Sequence, residues 1–336
     1  MNLRFWKKTS EAPVEGQTMF VEHRYDRWLL ALTLILMSVG VVMVYSASIA
    51  SAGASFGDGA HYLKRQLMFV GLALGAMVVT MNLHHDLLRR LAKPLLVMAV
   101  LLLMVVLLPG VSATAKGASR WINLGPLRFQ PAEMVKLCWI VFLADLLSRR
   151  QAELDSFRRA WGVPLAAMAL LGGLLMLQPD FGSTVICGGL MLLLVWAAGA
   201  RWLHTLGFIG AGLAMVPLAI LAEPYRMKRL TAFLSPEDDP LGVSFHINQA
   251  LISFGSGEWF GQGLGNSTQK LLYLPEAHTD FIFSIVGEEL GLFGGLMIMT
   301  LFGLFVWRGF HIARKATTAF GALLAFGITA EIGFQA

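Results

Sequence analysis

Apolar residues occur along this chain in long repeated blocks, and polar residues are concentrated in the stretches between them. Each block has about 17 to 25 residues, the length of a helix that crosses a hydrocarbon core of roughly 30 Å. Backbone amides in lipid must be paired within their own segment, so the blocks are expected to be helices. We predict nine spans, near residues 28–47, 66–82, 94–109, 132–148, 161–178, 181–199, 205–222, 281–307 and 318–336. The pattern predicts an all-α, polytopic integral membrane helical bundle.

Composition supports a membrane protein and argues against a nucleic-acid partner. Hydrophobic residues make up 56% of the chain and charged residues only 14%, against roughly 25% charged residues in soluble domains. The mean hydropathy is +0.66. A net charge of +5 would suggest nucleic-acid binding in a soluble protein, but the orientation bias of membrane proteins explains most of it. We expect no nucleic-acid partner.

The distribution of basic residues predicts the orientation. With the N-terminus in the cytoplasm, sixteen of the 26 Lys and Arg residues fall on the inner side, nine fall outside, and Lys136 lies within a span. Short basic inner loops are what the positive-inside rule expects. Residues 1–27 are predicted to be a cytoplasmic tail and residues 28–336 the membrane domain. Because about twenty apolar residues follow that tail, the first span should remain as an anchor and not be removed as a signal peptide.

Two predicted outer loops, residues 110–131 and 223–280, are long enough to suggest a function. The first contains KGASRWINLGPLRFQPAE. The second, before the eighth span, has glycine, aromatic and apolar residues throughout. We expect it to fold with short helices that dip into the membrane interface.

Charged residues within or beside the spans are the first chemical signal, because a charge at mid-bilayer costs at least about 2.5 kcal/mol. Glu133 and Lys136 are three residues apart and can pair on one helix face. The pattern leaves a structural and a functional pair equally open. Asp145, at the inner end of the same span, is expected to snorkel or to cap.

A second signal is the group Glu276, His278 and Asp280, directly before the eighth span. Acidic residues are favoured near helix N-termini, so capping is the simpler interpretation. Capping does not require three ionisable groups, which favours chemistry. Glu288 and Glu289 follow two turns later and are expected to pack against partners from other helices.

Basic residues on the predicted outer side oppose the orientation bias. They could contact lipid headgroups or bind a pyrophosphate, which arginine holds by bidentate hydrogen bonds. These residues are Lys116, Arg120, Arg128, Arg226, Lys228, Arg229 and Lys270.

Cysteine and glycine patterns add little. Cys138 and Cys187 lie in apolar blocks and form no CxxC motif, which argues against a disulfide framework. Glycines at 261, 263 and 265 follow no predicted strand, so we interpret them as loop flexibility and not as a nucleotide loop. The GxxxG spacings at residues 71–75 and 291–295 predict close helix packing.

Five stretches of this sequence closely resemble the SEDS family (shape, elongation, division and sporulation) of membrane glycosyltransferases. They are VMVYSAS (42–48), SRWINLGPLRFQPAEMVKL (119–137), LQPDFGS (177–183), YRMKRLTAFLSP (225–236) and GLGNSTQKLLYLPEAHTDFIFSIVGEELGL (263–292). They occur in order over nearly the whole chain. The polar tail and QKLLYLPEAHTDFIF resemble the cell-division (FtsW-type) branch. The family has ten spans, of which this chain contains nine.

The resemblance implies a peptidoglycan glycosyltransferase that polymerises lipid II during septal wall synthesis in the bacterial inner membrane, releasing undecaprenyl pyrophosphate. It implies that Asp280 is the catalytic base. Arg128 and Lys136, helped by Arg120 and Lys270, would bind the pyrophosphate. Glu133, Glu276 and His278 would complete the substrate site.

The resemblance also implies partners: a class B penicillin-binding transpeptidase and other divisome membrane proteins. No cofactor and no dedicated metal ligands are evident, although Mg²⁺ or Mn²⁺ could bridge the pyrophosphate. Many spans with buried charges would also suit a lipid II flippase. A third hypothesis is a noncatalytic divisome scaffold, which would not require Asp280.

Overall fold

The computed structural model describes residues 25–108, 112–115, 118–124, 127–221, 224–235, 242, 244–271 and 277–336. Most of the predicted cytoplasmic tail and Glu276 lie outside these residues. Two compact units are present, one formed by Leu83–Gly212 with Val306–Ala336 and the other by His23–Asn82 with Leu213–Phe305. We call them the first and second unit.

Helices form most of the described chain, and each of the nine predicted spans coincides with one. They are α1 (Arg27–Phe56), α2 (His61–Asn82), α3 (His85–Val106), α4 (Pro131–Arg149), α5 (Phe157–Leu177), α6 (Phe181–Ala197), α7 (Trp202–Leu221), α8 (Pro224–Leu234), α9 (Phe245–Ser256), α10 (Ile282–Lys315) and α11 (Ala319–Gln335). In the described residues α1, α2, α5 and α10 are long and apolar enough to cross a membrane. The short helices expected within residues 223–280 are α8 and α9.

One feature of the loop at residues 110–131 was not predicted. The strands β1 (Ser112–Ala115), β2 (Ala118–Leu124) and β3 (Leu127–Phe129) form an antiparallel sheet in the order β1-β2-β3. The all-α fold class is confirmed for the protein as a whole, and this small sheet is a local addition to the helices. The missed signal was three short runs separated by the turn-forming pairs Lys-Gly and Gly-Pro, a pattern typical of hairpins. Strand β2 contacts α3 and α4, which places the sheet at the start of α4.

The core of the first unit surrounds α4, which contacts α3, α5, α6 and α11. Most of its residues are buried, including Trp139, whose indole N–H donates to the carbonyl of Cys187 at 3.0 Å. Asp145 is also buried and accepts hydrogen bonds from Arg89 at 3.3 Å and Arg149 at 2.7 Å. The expectation that it snorkels or caps is wrong, because its carboxylate is neutralised by two arginines.

The second unit has a smaller apolar core. Met43 and Ala47 of α1 pack with Ala277 and with Ile285 and Val286 of α10. The N-terminal part of α10 and the segment before it are thereby fixed against α1. Helix α2 packs on α1. Glycines 71 and 75 of α2 face open space, so no helix of the described chain approaches them as the GxxxG spacing had predicted.

Helix α10 is interrupted at Gly291, which has φ 69° and ψ −170°. The break frees the carbonyls of Glu288 and Glu289 and the N–H groups of residues 292 and 293. The loop at residues 258–263 supplies new hydrogen-bond partners for these four groups. Gln262 and Gly263 donate to the two carbonyls at 2.9 and 3.0 Å, and the two freed N–H groups donate to the carbonyls of residues 258 and 259 at 2.9 and 3.2 Å. These four groups are therefore paired again, as an apolar surrounding requires.

Glycine is needed on both sides of the contact between the loop at residues 258–263 and α10. A Cβ at Gly291 would meet the backbone of residues 259–261, and a Cβ at Gly261, which has φ 79°, would meet the backbone of Glu289. The interpretations of Gly261 as a source of flexibility and of Gly291 as a helix-packing glycine are both wrong. These residues permit a close backbone approach.

Candidate active site

Asp280 lies in the turn directly before α10, and its side chain is exposed. The residues around it are held in place. Ala277 belongs to the core of the second unit. The His278 ring packs on Tyr62 with centroids 4.4 Å apart, and Phe281 stacks on His246 of α9 at 5.9 Å. An accessible carboxylate is thus carried by a short segment anchored on both sides.

Glu288 and Glu289 are fully buried in α10, yet their carboxylates are well supplied with donors. Glu288 accepts hydrogen bonds from the hydroxyls of Ser253, Ser267 and Thr268, at 2.9, 2.6 and 3.0 Å, and from the Thr268 N–H at 2.8 Å. The expectation that these glutamates pack against partners from other elements is confirmed. A buried carboxylate persists in this way only when its lone pairs are satisfied.

Lys270 pairs with the second of these glutamates. Its ammonium lies 2.7 Å from Glu289, and the two side chains are 3% and 0% exposed. The Ser46 hydroxyl of α1 contacts both carboxylate oxygens at 2.7 Å and the ammonium at 3.2 Å. Lys270, which the sequence analysis proposed for pyrophosphate binding, therefore lies inside the second unit.

In the first unit, Lys136 and Glu133 form the ion pair that their spacing predicted. The Nζ–Oε2 distance is 2.7 Å, and the side chains are 2% and 52% exposed. The buried ammonium is therefore covered by a carboxylate that is itself accessible. The Gln335 amide also donates to Glu133 at 3.3 Å.

Glu133 borders a pocket of about 300 Å³ between α4 and α11. Glu331 of α11 lines the same pocket and is 6% exposed. It lies near enough to Lys136 and Glu133 to interact with both electrostatically. Two carboxylates and one ammonium thus share this part of the first unit.

The remaining predicted site residues are only partly described. The backbones of Arg120 and Arg128 lie on β2 and β3, where Arg128 pairs with Asn123. Glu276 lies outside the described residues. Asp280, His278 and Lys270 belong to the second unit, whereas Glu133, Lys136, Arg120 and Arg128 belong to the first.

Comparison with known proteins identifies the family. A family profile described as "Cell cycle protein" and covering FtsW, RodA and SpoVE matches residues 26–336. The chain belongs to this family. A probable peptidoglycan glycosyltransferase FtsW of Alkalilimnicola ehrlichii is 46% identical over 92% of this chain and 78% of that protein. The stage V sporulation protein E of Bacillus subtilis is 42% identical over 92% of this chain and 85% of its own length.

Solved structures agree with this assignment. A chain from the study "Structural coordination of polymerization and crosslinking by a peptidoglycan synthase complex" aligns with TM-score 0.74 and 29% identity, over 93% of this chain and 84% of that chain. The rod shape determining protein RodA of Thermus thermophilus aligns with TM-score 0.66 and 28% identity, over 93% and 82%. The protein is an FtsW-type SEDS member with a multi-pass membrane fold.

Sequence reasoning missed two contributors to these charge clusters. Glu331 is a carboxylate within an apolar span, and the high cost of a charge in that position was the signal that could have found it. Ser46 gave no such signal, because a lone serine in a helix can satisfy its hydroxyl on the backbone of the preceding turn. Only the fold brings it to Glu289.

Proposed function

We infer that this protein is a peptidoglycan glycosyltransferase that polymerises lipid II into glycan strands during septal wall synthesis. The observation that carries this inference is the family match over residues 26–336, together with relatives named peptidoglycan glycosyltransferase FtsW that align over most of the chain. The accessible carboxylate of Asp280, on a segment fixed by its neighbours, supports the assignment at the level of chemistry.

In the proposed reaction Asp280 takes the proton of the 4-hydroxyl group of the acceptor GlcNAc. The resulting oxygen nucleophile attacks C1 of the donor MurNAc, the new O–C bond forms with inversion, and the bond to undecaprenyl pyrophosphate breaks. A positioned general base contributes about 10² to 10⁴ in rate. An exposed side chain with anchored neighbours suits this role, because the base must meet a substrate from outside the protein.

The departing pyrophosphate carries negative charge, so cations near it would stabilise the transition state. We propose Lys136 and Arg128 for this role, with Arg120 as a further cation. The accessible side of the Lys136–Glu133 pair supports the choice of Lys136. Arginine adds bidentate binding of phosphate oxygens, which lysine cannot provide.

We propose that a divalent cation, Mg²⁺ or Mn²⁺, would reach this site as a companion of the substrate. Within the described residues no group of three or more His, Cys, Asp or Glu side chains is placed to hold a metal ion. Mg²⁺ commonly binds through one or two carboxylates together with substrate phosphates. Glu133 and Glu331 are the carboxylates of the first unit that such an ion would meet.

We further propose that the N-terminus is cytoplasmic, that Asp280 faces the opposite side, and that the protein acts at the division septum. The charge bias of the loops supports the orientation. A class B penicillin-binding transpeptidase is the proposed partner, since the structural neighbour comes from a complex that coordinates polymerisation and crosslinking. Other divisome membrane proteins would join this pair.

The interrupted α10 does not favour the flippase alternative. Broken helices in transporters expose unpaired backbone groups to substrates or ions. Here the loop at residues 258–263 pairs four of the backbone groups released at Gly291. The break is therefore explained by packing within the second unit.

The decisive experiment is Asp280→Asn in the intact protein, with glycan formation from purified lipid II measured in the presence of the transpeptidase partner. Asparagine keeps the shape and any capping role but cannot accept the proton. We expect a loss of about 10² to 10⁴ in rate, equivalent to roughly 3 to 5 kcal/mol.

The matched control is Asp58→Asn, because Asp58 is an accessible aspartate of the same unit, paired at 2.8 Å with Lys64. It should retain parental activity. An Asp280→Asn protein that kept more than about a tenth of parental activity would exclude Asp280 as the base. Lipid II crossing between leaflets without glycan formation by the parent would instead indicate a flippase, and neither activity would indicate a scaffold.

A further inference from the structure

Three segments that are distant in sequence meet in one buried polar network of the second unit. Ser46 comes from α1, residues 267–270 come from the loop after α9, and Glu288 and Glu289 come from α10. We call this set the clamp. No member of the clamp has a role in the proposed reaction, although the family resemblance had implied pyrophosphate binding for Lys270.

The geometry of Lys270 is that of a structural cation. Its ammonium donates to Glu289 at 2.7 Å and to the Ser46 hydroxyl at 3.2 Å. Both members of the ion pair are essentially without accessible surface. An incoming pyrophosphate could bind this ammonium only by displacing a buried carboxylate, which would leave Glu289 unpaired at high cost.

The position of the pair along the chain suggests what it holds. Lys270 and Glu289 flank Asp280 in the sequence, ten residues before it and nine residues after it. Glu288 ties down Ser267 and the Thr268 backbone beside Lys270. The chain entering the Asp280 segment and the helix leaving it are thus joined to the same turn of α10.

We propose that Lys270 and Glu289 are positioning residues, which fix the segment carrying Asp280 so that the carboxylate is presented in one orientation. This rests on the proposed role of Asp280 as the base. Lys270 then acts through Asp280 and does not touch the substrate. The position of a base matters because small displacements from the reactive geometry cost large factors in rate.

Substitution of Glu289 distinguishes this proposal from direct substrate binding by Lys270. If Lys270 bound the pyrophosphate, removing the charge of Glu289 would free the ammonium and leave turnover intact. If the pair positions Asp280, both Lys270→Met and Glu289→Gln should lower kcat by at least about tenfold while KM for lipid II stays within about threefold. The double variant, which leaves no unpaired buried charge, should recover part of the loss seen in either single variant but stay below the parent, since the pair itself is missing.

A second measurement does not depend on activity. Hydrogen exchange of the amides at residues 277–284 should be at least about fivefold faster in Lys270→Met than in the parent, since the clamp no longer holds this segment. The matched control is Lys64→Met, which breaks an exposed lysine–aspartate pair of the same unit. It should change neither exchange in this segment nor kcat.

Several results would overturn the proposal. Parental turnover in Glu289→Gln would do so, as would a raised KM with unchanged exchange in Lys270→Met, which would make Lys270 a substrate-binding cation. Faster exchange without loss of kcat would also overturn it. If the parent forms no glycan, the proposed function fails, and exchange alone decides whether the clamp fixes the segment.

If the single variants do not fold, Ser46→Ala keeps both charges and removes only the bridging hydroxyl. Ser46→Ala should lower kcat by a few-fold and speed amide exchange at residues 277–284 by a few-fold. Unchanged values in folded Ser46→Ala would argue against the clamp.

Discussion

Replacing Gly291 by alanine tests whether the break in α10 is required by the fold. Gly291 combines φ 69° with ψ −170°, a backbone region occupied essentially only by glycine. A Cβ there would also collide with the backbone of residues 259–261. Because backbone atoms cannot turn aside as a flexible side chain can, the loop at residues 258–263 would have to withdraw from α10.

The size of the effect follows from these two costs. Backbone strain in this region is about 1 to 3 kcal/mol for a residue other than glycine. Withdrawal of the loop endangers four backbone hydrogen bonds, each of about 1 kcal/mol in net terms. If half of them are lost, the total is about 3 to 5 kcal/mol, far above the effect of an ordinary glycine-to-alanine change in a helix, which is about 1 kcal/mol and favourable.

Gly295→Ala is the matched control, because it lies one turn later in the same helix. Its added Cβ would have an ordinary contact of 3.7 Å with Phe283. The assay is the fraction of monodisperse protein that remains after heating in detergent. Gly291→Ala should lower the midpoint by roughly 5 °C, and Gly295→Ala should leave it unchanged or higher. Equal losses in both variants would restore the helix-packing interpretation and refute the argument from the break.

Two further predictions concern the first unit and the orientation. Lys136→Met should abolish most glycan formation with little change in thermal stability if the ammonium meets the pyrophosphate. Activity restored by combining it with Glu133→Gln would show instead that the pair is structural. Single cysteines at residues 280 and 308 of a cysteine-free background should be labelled in intact cells only at 280, and labelling of residue 280 only after the inner face is permeabilised would contradict the proposed orientation and mechanism.

The helical part of the fold was predictable because lipid imposes a simple rule on the sequence. A span must be long, apolar and helical, so each of the nine blocks coincides with a helix. The sheet formed by β1, β2 and β3 obeys no such rule, since short strands are specified by turns and pairing. The break at Gly291 was equally hidden, because it depends on a loop some 30 residues earlier in the chain.

The chemistry was predictable to the extent that ionisable residues in apolar segments are costly and therefore noticeable. Glu133, Lys136 and Glu288 were found in this way, whereas Asp280 was singled out by its grouping with Glu276 and His278 and by the family resemblance. Whether a charge faces a substrate or a buried partner depends on contacts across the fold, which spacing does not contain. Lys270 shows the difference, since its partner Glu289 was recognised but the pairing was not.

The two buried lysines show how burial alone fails to define a role. Lys136 and Lys270 have the same chemistry, similar exposure and a carboxylate at 2.7 Å. They differ in the partner: Glu133 is half exposed and borders a pocket, whereas Glu289 is enclosed and bonded to Ser46. An ammonium covered by an accessible carboxylate can exchange that partner for an anionic ligand at moderate cost, because the released carboxylate returns to water. An ammonium whose partner stays buried cannot, because an uncompensated charge would remain inside the protein. The accessibility of the partner, more than that of the lysine, therefore supports the proposed roles of Lys136 in the reaction and of Lys270 in holding Asp280.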